Sequence, residues 1–370
     1  MSPKSPPVSQ AAWHHKEPLW KPTRFSQSSD MYAGNRKSLL GGRGPCRALL
    51  YVFSFLFVAI FLTDMLRKGG QQSSADNLEV AKVSLITGQY QENEIVLRNH
   101  ELHRRHDERF GYKHFVLTQP VIGGFWDRTV YMLSLITLEL AKPENERLQW
   151  MMWYDADVTL MNPNTPLEAF LPPQDQWSHI HMLVTNDDNG LNNGVFFLRV
   201  HPWSIQLLKT VIGIEMYEGD VDLEYSEQTA LELWILSDSF REHVMHVPQR
   251  WFNAKPTEWQ VKMEGGSVTA ELPDKELHKA TLRQGDLFVH FAGLAHKTRA
   301  MEAFMMIAEE GRSDWELEFE GSELQTELIS FWSGDALEED LIVDDLITEM
   351  QQRRVYRKKH GMHATGGTGF

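Results

Sequence analysis

The chain has 370 residues, 51 acidic against 36 basic, and a formal net charge of -15. That length, with 42% apolar residues, allows one large domain or two small ones, and the lack of a basic stripe excludes a nucleic-acid binder. The only cysteine is Cys46, which excludes an internal disulfide framework, and no Asn-x-Ser/Thr acceptor occurs.

Residues 1–47 are rich in Pro, Ser and basic residues without apolar periodicity, which predicts a disordered tail. Ala48–Leu62, ALLYVFSFLFVAIFL, has Ser54 as its sole polar residue. At 1.5 Å per residue it spans roughly 22 Å, and extension to Leu66 brings it close to the ~30 Å hydrocarbon core. Basic residues precede it, so 48–66 reads as a signal-anchor with the N-terminus in the cytosol and the rest across the membrane. A stem is expected at 67–77, and a folded domain at 78–312.

Within that domain, Val80–Thr87 reads as a strand and Glu92–Gly111 as a polar helix carrying His100, His103 and His106. Three histidines at spacing three invite zinc, but Arg104, Arg105 and Arg109 crowd them, and a solvated face is the preferred reading. His114–Leu117 is strand-like, Thr129–Leu140 an amphipathic helix and Leu148–Tyr154 a strand. His179–Thr185 and Val195–Val200 are further strands flanking a polar loop at Asn186–Asn193. His201–Ile212 and Ser226–Ser237 are helical, and His246–Trp251 and Leu287–Phe291 are short strands. This alternation predicts an α/β domain with a mostly parallel, covered sheet. Beyond Arg312 the chain turns acidic: no Lys or Arg occurs from Ser313 to Met350, so 313–370 reads as a peripheral extension.

The chemistry centres on Trp150–Asn162, WMMWYDADVTLMN. An apolar run of this length reads as a buried strand, and ligands bind beyond the carboxyl ends of such strands. Asp155 and Asp157 stand there one residue apart, which is costly unless a cation or hydrogen bonds compensate them. The strand is expected to end or bend between them, which would let both reach one ion. Three further segments fit the same site. Asp187–Arg199, DDNGLNNGVFFLR, offers glycines for close backbone approach and Asn amides. Glu227-Gln228 opens a helix. Gly285–Lys297, GDLFVHFAGLAHK, ends a strand at His290 and carries Lys297 in the following loop. Two carboxylates and an imidazole suit Mn²⁺, and a lysine beside them suits a departing diphosphate. His290 is expected to reach the acids because parallel strands place their ends on one edge.

Taken in order, WYDADVTLMNP, NGLNNGVFFLRVHPWS, EQTAL, VPQRWFNA and GDLFVHFAG resemble the fungal Golgi α-galactosyl/α-mannosyltransferase family, with plant xyloglucan xylosyltransferases as distant members. The resemblance covers roughly residues 80–305. It implies a GT-A fold, a nucleotide-sugar donor (GDP-mannose or UDP-galactose), a glycan acceptor, Mn²⁺, retention of configuration, and a Golgi type II membrane protein with a lumenal catalytic domain. It also implies Asp155, Asp157 and His290 as metal ligands, and Asn192 of the Asn-x-Gly194 element on the donor sugar. Gln228 would lie near the anomeric carbon with Glu227 beside it, Lys297 on the diphosphate, and Thr87-Gly88 facing the nucleotide. Glu227 departs from the Asp common among relatives.

Two other readings fit less well. Asp155-Ala-Asp157-Val-Thr also matches the D-x-D-x-T/V of haloacid-dehalogenase-type phosphatases. Their later Gly-Asp-x-x-x-Asp segment is not met here, since Gly285-Asp286-Leu-Phe-Val ends in His290. The alternative within the resemblance is a low-activity structural subunit of a Golgi glycosyltransferase complex.

Overall fold

In the computed structural model the described residues are 79–217, 221, 223–256, 260–264, 267–271, 278–294, 297–335, 345–353, 355, 356 and 359. The expected tail, signal-anchor and stem lie outside them. Among the described residues, no helix is long and apolar enough to cross a membrane.

In chain order the strands and α-helices are β1 (Val80–Leu85), α1 (Glu94–Phe110), β2 (Lys113–Leu117), α2 (Trp126–Leu140), β3 (Trp150–Tyr154), β4 (Val158–Leu160), α3 (Gln174–Trp177), β5 (Met182–Asp187), β6 (Gly190–Arg199), α4 (Pro202–Tyr217), α5 (Glu227–Ile235), β7 (Val244–His246), α6 (Arg250–Asn253), β8 (Gln260–Glu264), β9 (Ser267–Glu271), β10 (Phe288–His290), α7 (Lys297–Glu310) and α8 (Glu323–Ser330). Six strands form the central sheet in the order β2-β1-β3-β6-β5-β7. The pairs β1/β2, β1/β3 and β5/β7 are parallel, and β3/β6 and β5/β6 antiparallel. The expected α/β domain with a mostly parallel sheet is therefore present.

Strand alternation builds two cores from one sheet. Trp150, Met152 and Tyr154 of β3 face one apolar cluster, with Val195 and Phe197 of β6. Met151 and Trp153 face the other, with Phe196 and Leu198. All five β3 side chains are buried, which contributes on the order of 10 kcal/mol relative to leaving them in water. The second face is covered by α2, α4 and α5 through Met132, Ile136, Leu207, Val211 and Ile235. The first is covered by α1, β4, β10 and α7 through Leu102, Leu160, Phe288 and Phe304.

Helix α1 begins where the Asn93 side chain accepts from the backbone N–H of Ile95 and Val96, and ends at Gly111, whose φ of 77° suits glycine. The solvated histidine face expected on it does not exist. His103 and His106 are fully buried, with Nε2 on the carbonyls of Val158 and Thr165 at 2.9 Å. The flanking arginines point elsewhere: Arg104 pairs with Glu101 and Glu108 on the exposed side.

Three other expectations need correction. Asn186–Asn193 is not a free loop but the turn end of a β-hairpin, with Asp187 opposite Gly190. His246–Trp251 is only partly strand, since β7 stops at His246 and α6 starts at Arg250. The chain beyond Arg312 is not peripheral where it is described. Trp315, Leu324, Leu328, Phe331 and Trp332 are buried in the first core. Asn162 and Asn164 donate to the carbonyls of Leu317 and Glu316, each at 2.9 Å. The segment's acids meet bases from the body: Glu327 pairs with the buried Arg250, and Glu323 with Arg283 at 3.1 Å. Farther on, in a helical stretch at 345–353, Arg353 reaches Glu232 at 3.1 Å.

Candidate active site

The strand β3 ends at Tyr154, and a turn closed by Val158 N–H on the Asp155 carbonyl at 3.0 Å separates the two acids. The expected break between them is thus present. The chain then leaves as β4, which pairs antiparallel with β10 and sets His290 opposite Val158. His290 therefore reaches the acids through an antiparallel ribbon beside the main sheet, rather than from a parallel neighbour as expected. One ligand atom from each of Asp155, Asp157 and His290 falls within 4.8 Å of the others. Oxygen, oxygen and nitrogen donors at that separation fit a divalent cation.

These groups open onto a cleft of about 970 Å³. Its walls also carry Asn192, Asn193, Gly194, Glu227, Gln228 and Lys297, and an aromatic rim of Tyr90, Phe125 and Tyr225. The hairpin β5–β6, α5 and the start of α7 thus converge on the acids from separate parts of the chain. Thr87 and Gly88 stand between Leu85 and Tyr90, both of which line the cleft, but do not line it themselves.

Asp157 is nearly buried. Burial works to raise its pKa, but His290, whose Nε2 lies 3.4 Å from Oδ1, and Lys297, whose Nζ lies 2.7 Å from Oδ2, outweigh it and hold the carboxyl below its ordinary range. Asp155 moves the other way: burial raises it, the charge of Asp157 adds to this, and Arg128 offsets only part. Two acids of opposite tendency thus share the candidate cation position.

Arg128 and Trp153 are the partners the motifs did not reveal. The Arg128 guanidinium is nearly buried and bridges Asp155 Oδ1 at 3.3 Å and Glu227 Oε1 at 3.0 Å. It also donates to the Asn193 carbonyl and lies over the Trp153 ring at 5.3 Å. Trp153 Nε1 donates to Asp155 Oδ1 at 2.7 Å. Nothing in the sequence marked Arg128, which fell just before the helix expected at Thr129–Leu140 and lies in the first turn of the observed one.

Glu227 is buried and its carboxyl is pushed up, chiefly by that burial. Its Oε1 is held by Arg128 and by Asn193 Nδ2 at 3.4 Å, while Oε2 has no protein partner. Gln228 Oε1 accepts from Asn193 N–H at 3.2 Å. The preceding Ser226 has φ 53° and ψ -126°, the only non-glycine with positive φ among the described residues. Such strain next to two cleft residues is characteristic of functional sites. Asn192 is held at both ends: Nδ2 donates to Asp187 at 2.8 Å, and Oδ1 accepts from Gly194 N–H at 3.0 Å. At Gly194 a Cβ would stand 2.1 Å from His290 Cε1, so only glycine lets the imidazole lie where it does. Asp286, which a phosphatase reading would need at the site, is instead buried against Arg250 and does not line the cleft.

Residues 171–300 match the galactosyl transferase GMA12/MNN10 family. An alpha-1,2-galactosyltransferase of Schizosaccharomyces pombe is 23% identical over 250 residues, 57% of this chain and 60% of the yeast protein. A second, uncharacterized alpha-1,2-galactosyltransferase of that yeast is 21% identical over 225 residues, 51% of this chain and 60% of its own. The chain thus spans 60% of the length of these curated relatives. A solved glycosyltransferase involved in the glycosylation of the major capsid of PBCV-1 superposes with a TM-score of 0.42 at 16% identity, covering 61% of this chain and 99% of that one. The match over residues 171–300 takes in four of the five motifs, NGLNNGVFFLRVHPWS, EQTAL, VPQRWFNA and GDLFVHFAG; WYDADVTLMNP lies before it.

Proposed function

We propose that this chain, of the galactosyl transferase GMA12/MNN10 family over residues 171–300, is a metal-dependent retaining hexosyltransferase of the GT-A type. It takes mannose or galactose from GDP-mannose or UDP-galactose and hands it to a glycan acceptor. The domain works in the Golgi lumen, held to the membrane by residues 48–66. The observation that carries this reading is the meeting of Asp155, Asp157 and His290 in the cleft that Gln228 and Glu227 also line.

Asp155, Asp157 and His290 would hold the cation, Mn²⁺ by their donor set. When bound, it supplies a Lewis acid for the diphosphate charge. Lys297 is the first residue of α7, so its ammonium and the helix N-terminus both present positive potential to the same charge. Gln228 is fixed through Oε1, and its amide NH₂ is the end that meets the sugar. An amide is a poor nucleophile, so Gln228 is assigned to charge stabilisation and positioning at the anomeric carbon. The sugar–diphosphate bond breaks, the acceptor oxygen bonds to the anomeric carbon on the same face, and its proton passes to the leaving diphosphate. Glu227 Oε2, buried and unpartnered, is the acceptor offered to a sugar hydroxyl.

The test is a panel of nucleotide sugars with the purified full chain in detergent, with Mn²⁺ or a chelator. One hexose donor should be consumed only with the divalent ion, and Asp157→Asn should abolish this. A chain that binds Mn²⁺ but consumes no donor, with or without glycan acceptors, would refute the enzymatic reading in favour of a structural subunit.

A further inference from the structure

Asn253, the last residue of α6, is completely buried and takes no part in the chemistry above. Its place beside the site follows from backbone pairing. Ala254 bridges Val289 in parallel, and His290 N–H donates to the Ala254 carbonyl at 2.8 Å. The Asn253 carboxamide is engaged at both ends. Nδ2 lies 2.8 Å from Thr185 Oγ1, 3.3 Å from the Asn192 carbonyl and 3.1 Å from Asn192 Oδ1. Oδ1 lies 2.6 Å from His290 Nδ1.

Donor and acceptor logic fixes the rest. A backbone carbonyl can only accept, so the NH₂ end of Asn253 must face Asn192, which turns its oxygen to His290. An amide oxygen also only accepts, so His290 Nδ1 must carry a proton. The neutral ring then keeps its lone pair on Nε2, the nitrogen facing Asp157. The ring edge also lies close to the Gly194 backbone, where a Cβ would stand 2.1 Å from Cε1.

We propose that Asn253 is the positioning residue that sets the tautomer and ring plane of His290, so that Nε2 is offered to the divalent cation. Through its NH₂ it ties that ligand to Asn192 on the donor side. The proposal rests on the metal-dependent reading above. It makes a prediction that a purely structural asparagine would not: the acceptor oxygen at 253 matters to the imidazole, and the amide nitrogen matters to Asn192.

The experiment uses the full chain with ¹⁵N-labelled histidine, metal-free, above the pH of imidazole titration, with the His290 signal assigned by its loss in His290→Ala. The parent should show His290 protonated at Nδ1. Asn253→Leu should shift it toward Nε2 protonation and weaken Mn²⁺ binding by about 10–100-fold, the range for partners that orient metal ligands. Asn253→Asp retains an oxygen acceptor, so it should keep the Nδ1 proton; its second oxygen meets the Asn192 acceptors in place of the NH₂, so the tautomer and not the affinity is its readout. A parent His290 protonated at Nε2 would overturn the proposal even if Asn253→Leu did not fold. So would Asn253→Leu with the parent's tautomer and affinity. A parent that binds no Mn²⁺ would instead sink the metal-dependent reading itself, which separates the two failures.

Discussion

Arg128→Met tests whether one buried cation holds two acids in the cleft. Methionine keeps most of the aliphatic volume and removes the charge. Arg128 stands 3.0 Å from Glu227 and 3.3 Å from Asp155. Breaking a buried pair by removing one partner costs about 3–5 kcal/mol, because the remaining charge is left uncompensated. A second estimate bounds the figure. A carboxyl that titrates near 4.3 in the unfolded chain escapes further penalty by taking a proton. At pH 7 its cost therefore saturates near 1.36 × (7 − 4.3), or about 4 kcal/mol. Glu227 carries most of this, since Asp155 keeps 29% of its side chain exposed to screening water. The sign follows from the raised carboxyl: the folded variant binds protons more readily than its unfolded chain, so its deficit shrinks as pH falls. Urea unfolding followed by tryptophan fluorescence should show a loss of about 3–4 kcal/mol at pH 7 and roughly 1 kcal/mol at pH 5, each against the parent at the same pH. A deficit under about 1 kcal/mol at pH 7, or one that does not shrink at pH 5, would refute the bridge as an electrostatic requirement.

The buried histidines predict acid lability of the parent. Burial holds His246 down to about 4 and His106 to about 3, so between these values and ~6.5 the unfolded chain binds protons that the folded chain refuses. Stability present above ~6.5 should fall by roughly 2 kcal/mol per histidine on reaching pH 5, and equal urea midpoints at pH 7.5 and 5 would contradict this. Gly194→Ala places a methyl 2.1 Å from His290 Cε1 and should weaken Mn²⁺ binding about tenfold or more in a direct titration, whereas Gly334→Ala, with open space around it, should not. Trp315→Ala removes a fully buried ring from the region beyond Arg312 and should cost about 3–5 kcal/mol in chemical denaturation; a loss near zero would restore the peripheral reading of that segment.

What the sequence revealed and what it concealed divide along a physical line. The strand WMMWY was legible because both its faces are apolar, and its end because two carboxylates directly follow the apolar run, where burial without a partner is costly. The grouping of Asp155, Asp157 and His290 as a candidate cation site followed from residue type, although His290 arrives through an antiparallel ribbon. The hairpin at Asn186–Asn193 was hidden because its amides look solvated. In the fold they are taken up by Asp187, Glu227, Gln228 and His246. Arg128 was hidden for the same reason: a lone cation on a helix acquires meaning only when Asp155 and Glu227, distant in sequence, arrive on either side of it.

The acidic stretch beyond Arg312 shows why net charge misleads at this scale. Its acids lack bases within the segment because the bases lie elsewhere, Arg250 for Glu327 and Arg283 for Glu323. Charge composition therefore cannot separate a solvated tail from a docked one. Large apolar residues can. Trp315, Phe331 and Trp332 interrupt the acids, and leaving three such rings in water would forgo roughly 5–9 kcal/mol of burial, comparable to the whole stability of a domain. A segment carrying that much apolar surface must dock somewhere. Here it docks on α6, where Glu327 takes the indole N–H of Trp251 at 2.9 Å and also pairs with Arg250. The same short helix ends in Asn253, so the segment braces the element that presents Asn253 to His290.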